Sequence, residues 1–190
     1  MNRNHRIIIL SAPSGAGKST LAKHLFHCFP HLTLSVSATT RLPRGEEQQG
    51  REYYFLTNEE FEEKVKQDAF VEWEEVYLGV RYGTLKSELE RICDSGRSAL
   101  FDVDVKGGVR LKQIFDKQAL SIFIQPPSLE VLQERLEQRG TDTSESIQKR
   151  LAKAQEEMGY ASEFDKIIVN DLLEEAKRRI EWVVQAFISL

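Results

Sequence analysis

The sequence predicts an α/β fold in which helices flank a parallel sheet. Segments with helical periodicity separate short apolar runs, and strands that alternate with helices favour a parallel arrangement. The 190 residues, 41% of them hydrophobic and 29% charged, are enough for one domain with its own core. The apolar runs, typical of strands buried on both faces, are Ile7–Leu10, Ala99–Val103, Leu120–Ile124 and Lys166–Val169.

Helices are predicted between and after these strands. One helical pattern runs from Lys18 to about Phe29, where Pro30 ends it. Ser128 is expected to cap the helix that follows the third apolar run. The other predicted helices are Asn58–Lys66 with Asn58 as its cap, Leu85–Cys93 ahead of the stop signal Gly96, Ser144–Met158, and Leu172 to about Ile188.

The segment from about 35 to 84 interrupts the alternation of strands and helices. It is polar, aromatic and rich in predicted strands, including the end of Leu32–Ser37 and Tyr53–Leu56, with an exposed loop at Thr39–Arg51. We therefore predict that it is an insertion. The arginine-rich stretch at about 135–150 is predicted to be a small lid. The core would then comprise residues 1–34, 85–134 and 151–190.

Charge and cysteine content restrict the class of protein. A net charge of −4 argues against a broad nucleic-acid surface. Ile7–Leu10 is too short for a signal peptide or a membrane span, so we predict a cytoplasmic protein without membrane association. Cys28 and Cys93 are far apart and lack metal-site spacing, which favours two reduced thiols. The sequence does not indicate an oligomeric state.

Three histidines follow one another at helix-like spacing in and just after the first predicted helix. These are His24, His27 and His31. No carboxylate completes a metal site on that face of the helix, so we interpret the histidines as surface residues.

Residues 12–19, with the sequence APSGAGKS, lie between the first strand and the first helix and have the spacing of a P-loop. Glycines allow backbone N–H groups to converge on phosphate oxygens, and the helix N-terminus adds positive potential. Lys18 would contribute charge to the β- and γ-phosphates, and Ser19 a hydroxyl to Mg²⁺. Ala12 replaces the first glycine of the strict pattern, which is tolerable at negative φ. The loop predicts binding of a nucleoside triphosphate by a GTPase, an ATPase or a kinase.

A hydroxyl, two arginines and a phenol lie close together in the insertion. Ser37, Arg41, Arg44 and Tyr53 could hold a monophosphate, because arginine forks match pairs of phosphate oxygens. The alternative is a solvated basic loop beside Glu46 and Glu47.

A longer series of motifs continues beyond the P-loop. It comprises SATTRLPR at 37–44, GREYYF at 50–55, FVEW at 70–73, YGT at 82–84, DVDVKG at 102–107, Arg135, Arg139, Arg150 and IVND at 168–171. In order and spacing it resembles the guanylate kinase family over roughly residues 6–188. The resemblance implies a P-loop NTPase fold with an inserted GMP-binding subdomain and a lid. It also implies transfer of the γ-phosphate of ATP to GMP and to dGMP.

On the acceptor side, the resemblance assigns residues to two parts of GMP. Ser37, Arg41, Arg44, Tyr53 and Tyr82 would hold the phosphate, whereas Glu72, Thr84 and Asp104 would read the base. Chemistry agrees for Glu72, because guanine presents two donors, N1–H and an amine, that one carboxylate accepts. Adenine has an acceptor at N1. The stretch from Glu72 to Tyr82 is one residue longer than the family pattern, around residues 77–81, which leaves the packing beside Tyr82 open.

On the donor side, the resemblance implies an ATP site with Mg²⁺ as cofactor. Ser19 and Asp102 would hold the metal, and Asp102 would contact it directly or through a water molecule. The alternative role for Asp102 is to cap the turn that follows it. The ATP-binding residues would be Ser14, Gly15, Ala16, Gly17, Lys18, Ser19, Thr20, Arg139 and Asn170. The catalytic residues would be Lys18, Arg41, Arg135, Arg139 and Arg150, unless the last three are merely a solvated face.

Two other functions fit parts of this pattern. Some guanylate-kinase-like domains are protein-interaction modules without catalysis, but those typically lose P-loop or arginine features that are present in this sequence. A related P-loop kinase could instead phosphorylate a sugar phosphate. Glu72, Thr84 and Asp104 favour a pocket that reads a base.

Overall fold

In the computed structural model, residues 6–138 and 143–189 are described. The strands are β1 (Ile7–Ser11), β2 (Leu32–Leu34), β3 (Ala38–Thr39), β4 (Tyr54–Phe55), β5 (Phe70–Tyr77), β6 (Val80–Leu85), β7 (Ser98–Asp102), β8 (Ala119–Gln125) and β9 (Lys166–Val169). The helices are α1 (Lys18–Cys28), α2 (Asn58–Lys66), α3 (Lys86–Asp94), α4 (Val105–Phe115), α5 (Leu129–Gln138), α6 (Ser144–Met158) and α7 (Leu173–Ile188).

Five strands form a parallel sheet in the order β2-β7-β1-β8-β9, which confirms the predicted α/β fold. Along β1, Ile8 and Leu10 pack in the cluster that includes α1 and α7, whereas Ile7 and Ile9 pack in the cluster that includes α3 and α4. Side chains alternate between the two faces of a strand, and helices cover both faces here. This double burial explains why the strand is apolar at consecutive positions.

Four shorter strands form a second, mixed sheet in the order β4-β3-β6-β5. It lies within the predicted insertion except for Leu85, the last residue of β6. The predicted strand Leu32–Ser37 is wrong as one element, because β2 ends at Leu34 and β3 begins at Ala38 in the other sheet. Between the two strands, the N–H of Val36 donates to the buried carboxylate of Glu88 at 2.9 Å. A side chain thus satisfies the backbone where the chain changes sheets.

One helix cap differs from the prediction, and one further helix is present. Asn58 is the first residue of α2, not its cap; the cap is Thr57, which exchanges hydrogen bonds with Glu60 in a capping box. Helix α4 was not predicted, since its first turn contains two glycines, which disfavour helix. A Cβ on Gly108 would lie 2.2 Å from Oγ of Ser11, so close contact with β1 requires glycine there.

The predicted lid corresponds to the end of α5 and the first half of α6. Leu132 and Leu136 of α5 pack against Ile147 and Ala154 of α6. Residues 139–142, within the predicted lid, lie outside the described residues. Over the described ranges, no helix has both the length and the apolar character needed to cross a bilayer.

Candidate active site

A cavity of about 400 Å³ opens at the carboxyl ends of β1 and β7 and extends to the second sheet. In parallel α/β folds, ligands bind beyond these strand ends. The predicted site residues that line it are Ser14, Gly15, Gly17, Lys18, Ser19, Thr20, Ser37, Tyr53, Glu72, Tyr82, Asp102 and Asp104. Seven described residues of the prediction lie elsewhere: Ala16, Arg41, Arg44, Thr84, Arg135, Arg150 and Asn170.

The loop at residues 12–19 has the backbone that its glycines predict. Gly15 and Gly17 have φ of 95° and 97°, in the left-handed region that glycine favours. Ala12 is not among the described non-glycine residues with positive φ, so alanine is unstrained there. Behind the loop, the buried Asn170 donates to the carbonyl of Ala16 at 2.8 Å. A Cβ on Gly17 would lie 2.2 Å from this amide, so Asn170 buttresses the loop.

Lys18 lies at the first position of α1 and reaches across to the end of β7. Its Nζ lies 2.5 Å from Oδ1 of Asp102 and donates to the carbonyl of Val103 at 2.7 Å. Register places Asp102 beside Leu10, near the last residue of β1. The sheet thus brings one cation and one carboxylate together at the mouth of the loop.

Asp102 and Ser19 supply oxygen donors to the same cavity. A hydroxyl and a carboxylate are hard ligands of the kind that Mg²⁺ prefers, and this metal usually retains several waters. The donor set therefore fits Mg²⁺. The alternative of a turn cap does not apply to Asp102, since Asp104 caps α4 by accepting from the N–H of Gly107 at 2.7 Å.

Glu72 and Thr84 face each other across the β5–β6 hairpin. Thr84 Oγ1 donates to Glu72 Oε1 at 2.9 Å. Glu72 is only 7% exposed, and burial raises the pKa of its carboxyl from 4.5 to about 7, while the Thr84 hydrogen bond opposes this rise. The Asp104 carboxylate also raises this pKa. Glu72 therefore changes charge near neutral pH.

Two tyrosines and a serine form the opposite part of the cavity wall. The rings of Tyr53 and Tyr82 pack edge-on with centroids 5.9 Å apart, and Ser37 lies beside β3. The hairpin register shifts between Glu75 and Tyr77, a bulge in the strand that precedes Tyr82. Such a bulge can take up an extra residue and still leave Tyr82 facing the cavity.

Arg41 lies behind Tyr53 and is bonded to a carboxylate. Its side chain is 11% exposed and forms two hydrogen bonds to Glu47, at 2.8 and 3.0 Å, with its guanidinium 5.0 Å from the Tyr53 ring centroid. The same carboxylate accepts from the backbone N–H of Arg44 at 2.8 Å. The hydrogen bond from Arg41 lowers the pKa of Glu47. Arg41 is thus neither solvated, as in the alternative interpretation, nor part of the cavity wall; the Arg44 side chain is exposed.

Two of the predicted lid arginines contact the donor end of the site. Arg135 donates to the carbonyls of Asn170 and Asp171 at 2.9 and 3.3 Å. Arg150 donates to Oγ of Ser14 in the P-loop at 3.2 Å. Arg139 lies outside the described residues.

The sequence did not reveal three acidic residues of this region. Glu157 lines the cavity, and burial raises the pKa of its carboxyl, although its charged helix has the composition of a solvated one. Glu88 is 1% exposed and bonds Tyr54 and Arg91 as well as Val36. For Glu47, the sequence indicates only a carboxylate beside the basic loop, in the alternative in which that loop is solvated. These roles depend on distant partners, so no local pattern predicts them.

Comparison with known proteins gives consistent results. The family model described as guanylate kinase matches residues 4–187. The chain is 50% identical over 185 residues to the guanylate kinase of Porphyromonas gingivalis, covering 97% of this chain and 98% of the relative. It is 46% identical over 185 residues to that of Bacteroides fragilis, covering 97% and 91%.

A solved structure agrees. The crystal structure of guanylate kinase from Anaplasma phagocytophilum superposes with a TM-score of 0.76 at 34% identity, covering 96% of this chain and 85% of that one. Sequence and structure both match over nearly the whole length. The chain therefore belongs to the guanylate kinase family.

Proposed function

We propose that this protein transfers the γ-phosphate of ATP to GMP, and also to dGMP, and so forms ADP together with GDP or dGDP. The observation that carries the proposal is that one cavity is lined by two sets of groups. The P-loop, Lys18 and Asp102 form one set, and the buried carboxylate of Glu72 belongs to the other. A triphosphate donor and a guanine acceptor would thereby meet in a single site. Family membership and nearly full-length coverage support a catalytic protein.

The triphosphate of ATP would bind at the P-loop. Backbone N–H groups of residues 14–17 would donate to the phosphates there, and Lys18 would supply the positive charge. Ser19 and Asp102 would hold Mg²⁺, which neutralises phosphate charge when bound. Thr20 follows at the start of α1 and would contribute to the same pocket. Phosphate would compete with Asp102 for Lys18, since the two side chains form an ion pair at 2.5 Å.

The arginines of α5 and α6 would complete the donor site. Arg150 already contacts Ser14 of the P-loop, and Arg135 contacts the segment that supports it. Positive charge at these positions would stabilise the negative charge that develops on the transferred group. We assign the same role to Arg139, and we place the adenine of ATP between Arg139 and Asn170.

Glu72 would recognise guanine. An ionised carboxylate accepts hydrogen bonds from both N1–H and the exocyclic amine, and Thr84 fixes its orientation. Adenine would leave this buried carboxylate facing an acceptor, which carries a large penalty. Asp104 lies on the same wall, with one carboxylate oxygen bonded to the N–H of Gly107.

The phosphate of GMP would bind at the tyrosine-lined wall. Ser37, Tyr53 and Tyr82 line the cavity, and each carries a hydroxyl group that could bind phosphate. Arg41 lies directly behind Tyr53, and Arg44 follows in the same loop. Both arginines would have to turn towards the phosphate, and Arg41 would exchange its Glu47 partner for it.

Phosphoryl transfer in this site needs no general base, because the acceptor oxygen of a monophosphate is already anionic near neutral pH. Catalysis would depend on in-line placement of the two nucleotides and on neutralisation of charge. Lys18 and the arginines supply that charge. Exclusion of water by the lid would keep ATP from hydrolysis.

A coupled ADP-release assay with several acceptors tests the proposal. We expect ADP release with GMP and dGMP, and none above background with AMP, UMP or ribose 5-phosphate. Equal release with ribose 5-phosphate would favour a sugar-phosphate kinase. Silence with every acceptor would favour a non-catalytic interaction module.

The proposal also covers the cellular compartment and the binding partners of the protein. We expect the protein to act in the cytoplasm on small-molecule substrates, without binding nucleic acid, as its net charge of −4 suggests. Both cysteines have free thiols, which suits a reducing compartment.

A further inference from the structure

A group of metal-ligating side chains lies away from the cavity, on the surface between α1 and α7. His24 Nε2 is 3.3 Å from Glu181 Oε2 and 3.5 Å from Cys28 Sγ. The ligand atoms of all three residues lie within 4.8 Å of one another. None of the three lines the active-site cavity.

The fold, not a local motif, brings these residues together. His24 and Cys28 are four residues apart on α1 and so share one face of the helix. Helix α7 packs against α1 through the apolar cluster that contains Leu25 and Ile180, and Glu181 follows Ile180. A carboxylate does lie on this face of α1, where the sequence predicts none, because Glu181 comes from the far end of the chain. His27 and His31 are exposed, as predicted.

Two of the three separations between ligand atoms are close to those of a tetrahedral metal site. Zinc bonds of about 2.0–2.1 Å to nitrogen, about 2.0–2.2 Å to oxygen and about 2.3 Å to sulfur, at tetrahedral angles, place neighbouring ligand atoms about 3.4–3.6 Å apart. The observed separations are 3.3 Å for nitrogen and oxygen and 3.5 Å for nitrogen and sulfur. The sulfur of Cys28 lies 3.5 Å from Nε2 and 3.9 Å from Nδ1, so it lies beside the imidazole ring. A rotation of the ring that turns the Nε2 lone pair towards both partners would let a single ion contact all three residues.

The donor set selects a class of ion. A thiolate and an imidazole favour Zn²⁺ and its neighbours among the transition metals over Mg²⁺, which prefers oxygen. Burial and the nearby Glu181 carboxylate raise the pKa of the Cys28 thiol, and a bound dication would reverse that effect. Glu181 is 48% exposed and His24 21%, which leaves room for entry of the ion and for a water ligand.

We propose that His24, Cys28 and Glu181 form a binding site for a Zn²⁺-type ion, with water as the fourth ligand. The ion joins α1, which begins in the P-loop, to α7 near the end of the chain. Its role is to tether these two helices, separately from phosphoryl transfer.

Titration of the full chain with Co²⁺ tests the site, because a Co²⁺–thiolate bond gives a charge-transfer band in the near ultraviolet that Mg²⁺-type sites lack. We expect this band in the wild type and in the Cys93→Ser control, and its loss in Cys28→Ser. Glu181→Gln should keep the fold and weaken Co²⁺ binding about tenfold or more. Loss of a residue that only hydrogen-bonds to a metal ligand typically weakens binding by about that much, and Glu181 is proposed to be a ligand itself. His27→Ala, an exposed neighbour on the same helix, should bind as the wild type does.

Thermal unfolding gives an independent measurement. The three ligands meet only in the folded state, so Zn²⁺ should raise the Tm of the wild type and of Cys93→Ser but not that of Cys28→Ser or His24→Ala. The proposal is overturned if no thiolate band forms in the wild type, or if the band persists in Cys28→Ser. It is also overturned if Zn²⁺ raises the Tm of Cys28→Ser as much as that of the wild type.

Discussion

Lys18 and Asp102 form an ion pair with a 2.5 Å separation at the carboxyl ends of the neighbouring strands β1 and β7. The pair places one positive charge for phosphate and one carboxylate for metal within the same opening. Both groups are partly exposed, so a charged ligand can reach them. This arrangement supports the donor half of the proposed reaction.

Replacing Lys18 should strongly reduce turnover. Lys18→Ala removes the charge proposed to stabilise the transferred phosphoryl group, so kcat should fall about 10²- to 10³-fold, the range typical for loss of one such group. Steady-state kinetics with ATP and GMP measure the effect. Lys23→Ala, which changes an exposed lysine on the same helix, serves as the control. Near-normal turnover in Lys18→Ala would contradict the assigned role.

Replacing Arg41 should act mainly on GMP. Arg41→Ala removes a proposed phosphate ligand, so the KM for GMP should rise about tenfold or more, given that hydrogen bonds to charged groups contribute about 1.5–3 kcal/mol. The KM for ATP should stay within about twofold. Arg51→Ala is the matched control, since Arg51 lies in the same loop with a 71% exposed side chain. An equal rise in both KM values would argue against a specific role in GMP binding.

Glu47 should compete with the GMP phosphate for Arg41. Glu47→Gln removes the negative charge that engages Arg41 through two hydrogen bonds. We expect the KM for GMP to fall about two- to fivefold, because an ion pair that is partly open to solvent contributes at most about 1 kcal/mol. Glu46→Gln, the preceding exposed residue, should leave the KM unchanged. A higher KM in Glu47→Gln would mean that Glu47 positions Arg41 for binding and does not compete with phosphate.

Glu72 should make GMP binding depend on pH. Guanine requires the ionised carboxylate, and the pKa of Glu72 in the free protein is about 7. The KM for GMP should therefore rise as pH falls below about 7, while the KM for ATP changes less. The equilibrium dissociation constant of GMP, measured between about pH 5.5 and about 8.5, tests this directly, because that range spans the titration of Glu72. If the affinity for GMP does not change with pH over this range, the ionised carboxylate of Glu72 does not recognise guanine.

The same carboxyl should affect stability in the opposite direction. A carboxyl with a raised pKa holds its proton more tightly in the folded state than in the unfolded state. Its favourable contribution is complete below 4.5 and is lost as pH rises through about 7. Glu72→Gln should thus be more stable than the wild type at pH 8, by at most about 3 kcal/mol, and similar to it near pH 4. Urea unfolding at the two pH values measures the difference; Glu59→Gln, exposed on α2, is the control.

Gly108 should tolerate no side chain unless Ser11 is shortened. Gly108→Ala places a Cβ 2.2 Å from Oγ of Ser11, so we expect a loss of about 1–3 kcal/mol in the free energy of unfolding from overpacking. Ser11→Ala removes that oxygen and should recover part of the loss in the double variant. Additive effects of the two substitutions in denaturant unfolding would show that this contact does not limit packing.

Most of the central fold could be predicted because its signals are local. Ile7–Leu10 is apolar at every position since helices cover both faces of β1, and the glycines of the P-loop mark a turn at a fixed place. The unpredicted helix α4 begins with glycines that tertiary contact requires, so helix propensity alone points away from it. The break between β2 and β3 depends on Glu88, which lies 52 residues beyond Val36.

The residues of the site also divide into those that a local motif predicts and those that depend on contacts between distant segments. Lys18 and Ser19 belong to a contiguous motif, and the acceptor residues became interpretable only as an ordered series along the chain. The Arg41–Glu47 pair, the cavity-lining Glu157 and the His24–Cys28–Glu181 group each depend on which side chains meet in space. Periodicity and spacing contain no information about such meetings between distant segments.

The central claim is that this chain phosphorylates GMP, and ³¹P NMR of the products tests it most directly. With ATP, Mg²⁺ and GMP, we predict that the resonances of a nucleoside diphosphate replace the GMP signal as ATP is consumed. With AMP in place of GMP, the monophosphate signal should persist, and Lys18→Ala should leave both mixtures unchanged. Loss of ATP with release of inorganic phosphate and intact GMP would contradict the account, as would equal consumption of AMP.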